Sequence, residues 1–275
     1  MPPGYVKPYV KTNKNDMADA EAICEAVQRP NMRFVAIKTP DQQAVLLLHR
    51  ARTGFVKART ASANQIRAIL SEFGLPLPVG IHHVLDRARD LIEDAANEIP
   101  PMCRRLVASL LEHLAQLNAR IRDIELQLEG WHRENSTSQR IAEIPGVGLL
   151  GATAISASIG SASQFRNGRQ LAAWVGLVSR QHSSGGKQRL LGISKRGDAY
   201  LRTLLIHGAR SLLSRLKSKP EAKDCWSMRI ANRRSMNTAA TALANKTART
   251  IWALVRHERR YEAGFCPIRP IGVAG

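Results

Sequence analysis

The sequence predicts a mainly α-helical chain with one short strand near its start, and three observations carry that expectation. Leu106, Leu110, Leu114, Leu117, Ile121, Ile124 and Leu128 recur at steps of three and four, which sets them in one apolar stripe on a helix. Thr39-Pro40-Asp41-Gln42 reads as an N-cap, a proline at the first helical position and a glutamine able to cap back, so a long helix opens there. Ile144-Pro145-Gly146-Val147-Gly148 stands before the small-residue run LLGATAISASIG and reads as a tight turn between two helices.

In chain order, residues 1–15 are extended and end in Asn13, Lys14 and Asn15, residues suited to a turn or a helix N-cap. DMADAEAICEAV is helical by its alanines and by Met17, Ile23 and Val27, and Pro30 stops it just after Arg29. MRFVAIK, residues 32–38, runs apolar for long enough to make one strand. The helix that opens at Thr39 runs to about Phe73 and closes at Gly74-Leu75-Pro76-Leu77-Pro78. With the stripe that follows, residues 39–140 form a helical hairpin or coiled-coil arm. Two readings of that stripe stand open: the core of a bundle within the chain, or the seam of a dimerising coiled coil. Residues 141–258 form a third, α-rich region, and 259–275 a tail.

Composition narrows the function. The 275 residues are 44% hydrophobic, enough to build real cores, and carry 41 Lys+Arg against 22 Asp+Glu for a formal charge of +19. Such a field concentrates polyanions, so nucleic acid is the expected partner. No stretch approaches the roughly 20 apolar residues that cross a bilayer, and MPPGYVKPYVK lacks a signal peptide's apolar core, so a cytoplasmic protein is expected. Cys24, Cys103, Cys225 and Cys266 are isolated, against both a zinc site and a disulfide framework.

Three constellations carry chemistry. In the Pro145–Gly148 turn, Gly146 and Gly148 let backbone approach a phosphate closely, and the following helix offers free N–H groups to that anion. This is the helix-hairpin-helix pattern of sequence-independent DNA binding, with an ordinary glycine turn as the plainer alternative. From Gly176 onward, Arg180, Lys187, Arg189, Lys195, Arg196 and Arg202 sit among glycines and hydroxyls, with Asp198 the one acid between them. Ser183 and Ser184 stand before Gly185-Gly186 inside this patch. A serine there can bind phosphate or attack a phosphodiester, because neighbouring cations stabilise both the alkoxide and the phosphorane charge; chemistry alone favours phosphate binding. Asp16 and Asp19 share a helix face, where their repulsion at about 4 Å and an effective dielectric near 20 is roughly 4 kcal/mol. A shared divalent cation would offset it, so Mg²⁺ is the expected cofactor; helix-dipole stabilisation by Asp16 is the plainer alternative.

VKPYVKTNKNDMADAEAICEAV, IPGVG and GLVSRQHSSGGKQRLLGISKRGDAYLRTLLIHGAR together resemble bacterial insertion-sequence transposases of the IS-one-ten family, in its IS-eleven-eleven branch. The likeness covers nearly the whole chain in order, although Ser179 stands where the family usually has proline. It implies a DNA recombinase: an RNase H-like (RuvC-like) α/β domain bearing a DEDD carboxylate set, a helical arm, and a C-terminal serine domain. It also implies element-end and target DNA and a structured guide RNA as partners, homo-oligomers, and a place at the bacterial nucleoid. By position, Asp16 and Asp19 match the last two acids of the set and bind its Mg²⁺, and the catalytic serine is Ser183 or Ser184. The family's first Asp and its Glu lie on strands upstream of residue 1, so residues 1–38 are expected to be a remnant of the α/β domain and the chain truncated and defective alone. The competing expectation is a non-catalytic DNA- or RNA-binding architectural protein, which needs only the charge, the turn and the arm.

Overall fold

The computed structural model describes residues 3–11, 15–30, 32, 34, 36–183, 185–218 and 225–263. Among them are eleven α-helices, two short 3-10 turns and a single two-stranded sheet, in agreement with the predicted mainly helical class.

α1 (Pro3–Val6), a 3-10 turn (Lys7–Tyr9) and α2 (Asp16–Val27) pack together at the start of the chain. Asn15 caps α2 by accepting from the Ala18 amide at 2.6 Å, and the helix buries Ala22 and Ala26. Met17, Ile23 and Val27, the apolar residues that argued for this helix, are exposed. The predicted strand over residues 32–38 is not formed at Met32, Phe34, Ala36, Ile37 or Lys38; the other two positions lie outside the described residues. A strand needs a neighbour to take its amides and carbonyls, and the two strands described elsewhere pair only with each other. Phe34 and Ile37 are accordingly exposed, at 62% and 96%.

α3 (Pro40–Glu72) opens with the predicted capping box: the Gln42 amide donates to Thr39 Oγ1 at 3.2 Å and the Thr39 amide to Gln42 Oε1 at 3.1 Å. It closes as a Schellman turn, with Gly74 at φ +74° and the Leu75 amide on the Leu70 carbonyl at 3.0 Å. α5 (Pro101–Glu134) returns alongside it, tied by Arg52 to Glu125 at 2.6 Å. Between them lies α4 (Ile81–Glu93), which joins the far end of the hairpin: Ile66 and Leu70 from α3, Val84 and Ala88 from α4, and Val107 and Leu111 from α5 share one core. The Arg104 guanidinium holds the loop before α5 by donating to the carbonyls of Ile92, Asp94, Asn97 and Ile99.

The stripe on α5 is buried as predicted from Leu114 to Leu128, but its first turn is rotated by one residue. Leu106 is 47% exposed and Leu110 only half-buried, while Val107 and Leu111 are covered. The arrival of α4 on that side supplies the reason. Of the two open readings, burial within the chain accounts for the stripe, which packs on α3 and α4 at one end and on Val45 and Ala157 at the other.

The C-terminal body is α6 (Ser136–Ala142), α7 (Leu149–Ile159), α8 (Gly168–Val175), a hairpin of β1 (Ser179–Gln181) and β2 (Leu190–Ile193), α9 (Ala199–Lys217), α10 (Trp226–Arg233) and α11 (Met236–His257). α7 is buried on every face from Ala152 to Ile159, as a helix apolar all round must be. Leu201, Leu205 and Leu213 of α9 and Ala240, Ala244 and Ile251 of α11 close over it.

Candidate nucleic-acid interface

The basic segment folds as a β-hairpin, a form the sequence reading did not foresee. β1 and β2 run antiparallel, with Ser179 opposite Ile193 and Gln181 opposite Leu190. Its two legs leave the body through a tight glycine crossing. A Cβ on Gly176 would stand 1.9 Å from the Arg196 carbonyl oxygen, and one on Gly197 1.8 Å from the Trp174 carbonyl oxygen. Both glycines have positive φ, so no other residue fits without moving backbone. Arg202 secures the crossing by donating to the carbonyls of Val175 at 3.0 Å and Arg196 at 3.3 Å.

At the tip, Gly185 and Gly186 both have positive φ with open space around them. Arg180, Lys187, Arg189, Lys195 and Arg196 are exposed and join none of the ion pairs among the described residues. Asp198 forms no ion pair with them among the described residues; its carboxylate caps α9 by accepting from the amides of Tyr200 at 2.7 Å and Leu201 at 3.1 Å. Ser183 is exposed, and its hydroxyl oxygen accepts from the Arg189 amide at 3.3 Å and from Gln181 Nε2 at 3.1 Å. Ser184 and Lys14 lie outside the described residues.

The Ile144–Gly148 turn joins α6 to α7 as expected, yet its two glycines differ in role. Gly146, at φ +88°, sits against α9: a Cβ on Gly208 would come within 1.9 Å of the Gly146 carbonyl oxygen. Gly146 is therefore needed to dock the turn on a helix. Gly148 caps α7 without a side-chain partner, and a Cβ there would meet open space. Gly148 is exposed, and no side chain caps the first amides of α7.

Asp16 and Asp19 lie in the first turn of α2, which packs on α1 and the 3-10 turn rather than on the hairpin. No group of three or more His, Cys, Asp or Glu able to hold a metal exists among the described residues. Two carboxylates are fewer than the four-acid set that the resemblance implies.

A polar tie with no sequence signal links α3 to the body. His49, 2% exposed, bonds Thr153 Oγ1 through Nε2 at 3.0 Å and the Tyr200 hydroxyl through Nδ1 at 2.9 Å. The Thr153 hydroxyl proton goes to the Leu149 carbonyl at 2.8 Å. Thr153 therefore accepts from Nε2–H, and Tyr200 donates to Nδ1. Burial, helped by the charge of Arg52, lowers the His49 pKa to about 4, and burial raises that of Tyr200.

Residues 138–227 match the family described as "Transposase IS116/IS110/IS902 family", and residues 3–74 match the DEDD transposase family of the IS110 type. The chain is 46% identical to a "Probable family 20 transposase" of Pseudomonas aeruginosa over 95% of its own length and 78% of that protein's. It is 46% identical to the "Transposase for insertion sequence element IS1111A" of Coxiella burnetii, covering 95% of this chain and 72% of the relative. Against the IS1328 transposase of Yersinia enterocolitica identity is 42%, over 92% and 75%.

Proposed function

Since the chain belongs to the IS116/IS110/IS902 family of insertion-sequence transposases, we propose that it binds the DNA of its element through the β1–β2 hairpin and cuts and joins strands with a hairpin serine. The observation that carries this reading is the exposed hairpin, which bears five cations that join no ion pair among the described residues and carries Ser183 beside its Gly185-Gly186 tip.

Arg180, Lys187, Arg189, Lys195 and Arg196 contact phosphates. Arg202 acts from behind them, because its guanidinium already holds the Val175 and Arg196 carbonyls and so fixes the hairpin's legs. Gly148 and the first amides of α7 add a helix-hairpin-helix contact to the backbone of the duplex, and Gly146 keeps that turn seated on α9. The hydroxyl of Ser183 or Ser184 attacks the scissile phosphorus. A bond forms from Oγ to phosphorus, the bond from phosphorus to the leaving sugar oxygen breaks, the serine proton passes to solvent or base, and the leaving oxygen takes up a proton from solvent to become a free hydroxyl. Flanking cations stabilise the charge that grows on the phosphoryl oxygens. Asp16 and Asp19 are the acids that would face Mg²⁺, whose chemistry when bound is to polarise the phosphoryl oxygen; further carboxylates are required to complete that site. A structured RNA is a proposed partner on the strength of the basic surface, and further copies of the chain are proposed from the family resemblance alone.

Titration of labelled element-end duplex at several salt concentrations tests the binding. Log affinity should fall with log salt at about −0.9 per neutralised phosphate, and Arg180→Ala or Arg189→Ala should flatten the slope by about one unit at most. Salt-independent binding would refute the interface.

A further inference from the structure

A cavity of about 520 Å³ opens between α3 and the start of α9, within the range of about 300–1,000 Å³ that small-molecule sites occupy. The hairpin interface makes no use of it. Lys38, Arg50 and Lys57 line it and form no ion pair among the described residues, so the wall is cationic. The acid on the wall, Asp198, is held by the amides of Tyr200 and Leu201. The rest of the lining differs in kind: Leu46 and Trp174 give apolar and aromatic surface, and the His49–Tyr200 bond leaves both of those rings neutral.

Gly54 adds an independent observation. It sits inside the 33-residue helix α3, on the face that lines this cavity, and a Cβ built on it would meet nothing within 4 Å. Neither packing nor backbone conformation calls for glycine there, and glycine is among the least favourable residues in a helix interior. What its missing side chain provides is room for a group to lie close against the α3 backbone.

We propose that this cavity takes one unpaired nucleotide, its phosphate on Arg50 and Lys57 and its base against Trp174 beside Gly54. A lining that combines cations with an aromatic side chain matches that chemistry, since base stacking and phosphate neutralisation are the two sequence-tolerant contacts of unpaired strands. The inference rests on the reading of the chain as a nucleic-acid binder. The nucleotide can belong to a DNA strand, to an RNA strand or to a free mononucleotide.

The test measures fluorescence anisotropy with a fully paired duplex and with the same duplex carrying one unpaired adenine, each made in DNA and in RNA, together with calorimetric titration of AMP. The wild-type chain should bind the bulged duplex about tenfold more tightly than the paired one. Gly54→Leu fills the space with a good helix former, so melting should occur at an unchanged or higher temperature while the preference disappears and paired-duplex affinity stays within about twofold. The double variant Arg50→Ala/Lys57→Ala should lose the preference as well. A preference seen in only one of the two polymers identifies the strand, and AMP binding abolished by Gly54→Leu without any bulge preference assigns a free nucleotide. Equal binding of paired and bulged duplexes with no AMP binding overturns the proposal, as does a preference that survives Gly54→Leu. No binding of any duplex would instead remove the nucleic-acid reading on which it rests.

Discussion

His49 is neutral at neutral pH, with one nitrogen donating to Thr153 and the other accepting from Tyr200. Its pKa is about 4 in the folded chain against an ordinary 6.5, so between those values the unfolded chain binds the extra proton. The stability that the neutral ring contributes is complete above pH 6.5 and is lost as the pH falls towards 4, at about 1.4 kcal/mol per unit and roughly 3 kcal/mol in all. Urea unfolding followed from pH 7 to pH 4 should show that loss in the wild-type chain and lack it in His49→Leu; parallel curves would show that the ring does not report on folding. At the same scale, the serine assignment predicts a covalent adduct between protein and labelled element-end DNA on a denaturing gel. One of Ser183→Ala and Ser184→Ala should abolish it while changing DNA affinity by less than about 1.5 kcal/mol, the scale of one neutral hydrogen bond. An undiminished adduct in the double variant would remove the nucleophile from this hairpin.

Among the elements, glycines decide what the helices can approach. Gly208 lies within α9, where alanine would ordinarily stabilise a helix by up to about 1 kcal/mol. Here its Cβ would meet the Gly146 carbonyl 1.9 Å away, backbone against backbone, with no flexible side chain to yield. Gly208→Ala should therefore destabilise the C-terminal body by about 1–3 kcal/mol, the usual range for overpacking, and a melting temperature equal to or above the wild type's would contradict that packing. Thr39→Ala removes the acceptor of the Gln42 amide and should lower stability by about 1 kcal/mol, measured by the same unfolding experiment. The box was legible because both partners lie within four residues. The docking role of Gly146 was not, because its partner arrives from a helix much further along the chain.

For the whole molecule, the formal charge of +19 agrees with a chain that meets a polyanion, and among the described residues no helix is long and apolar enough to cross a membrane. If the five hairpin cations together neutralise about five phosphates of B-DNA, the slope of log affinity on log salt should be about −4 to −5, and the variant with all five changed to alanine should approach the slope left by the remaining basic surface. An unaltered slope in that variant would place the interface elsewhere. The sequence by itself determined the helical class, the ends of α3, the buried half of the α5 stripe and the basic segment with its serine, because capping, periodicity and charge are set by near neighbours. It also carried the family, through long motifs in their proper order. Tertiary structure decided what depends on which partner arrives. The absence of a strand at Phe34 and Ile37, the rotation of the stripe from Leu106 to Val107 under α4, the folding of the basic segment into a hairpin, and the burial of His49 between Thr153 and Tyr200 are of this kind. Each is settled by contacts between distant residues, and local pattern holds no record of those.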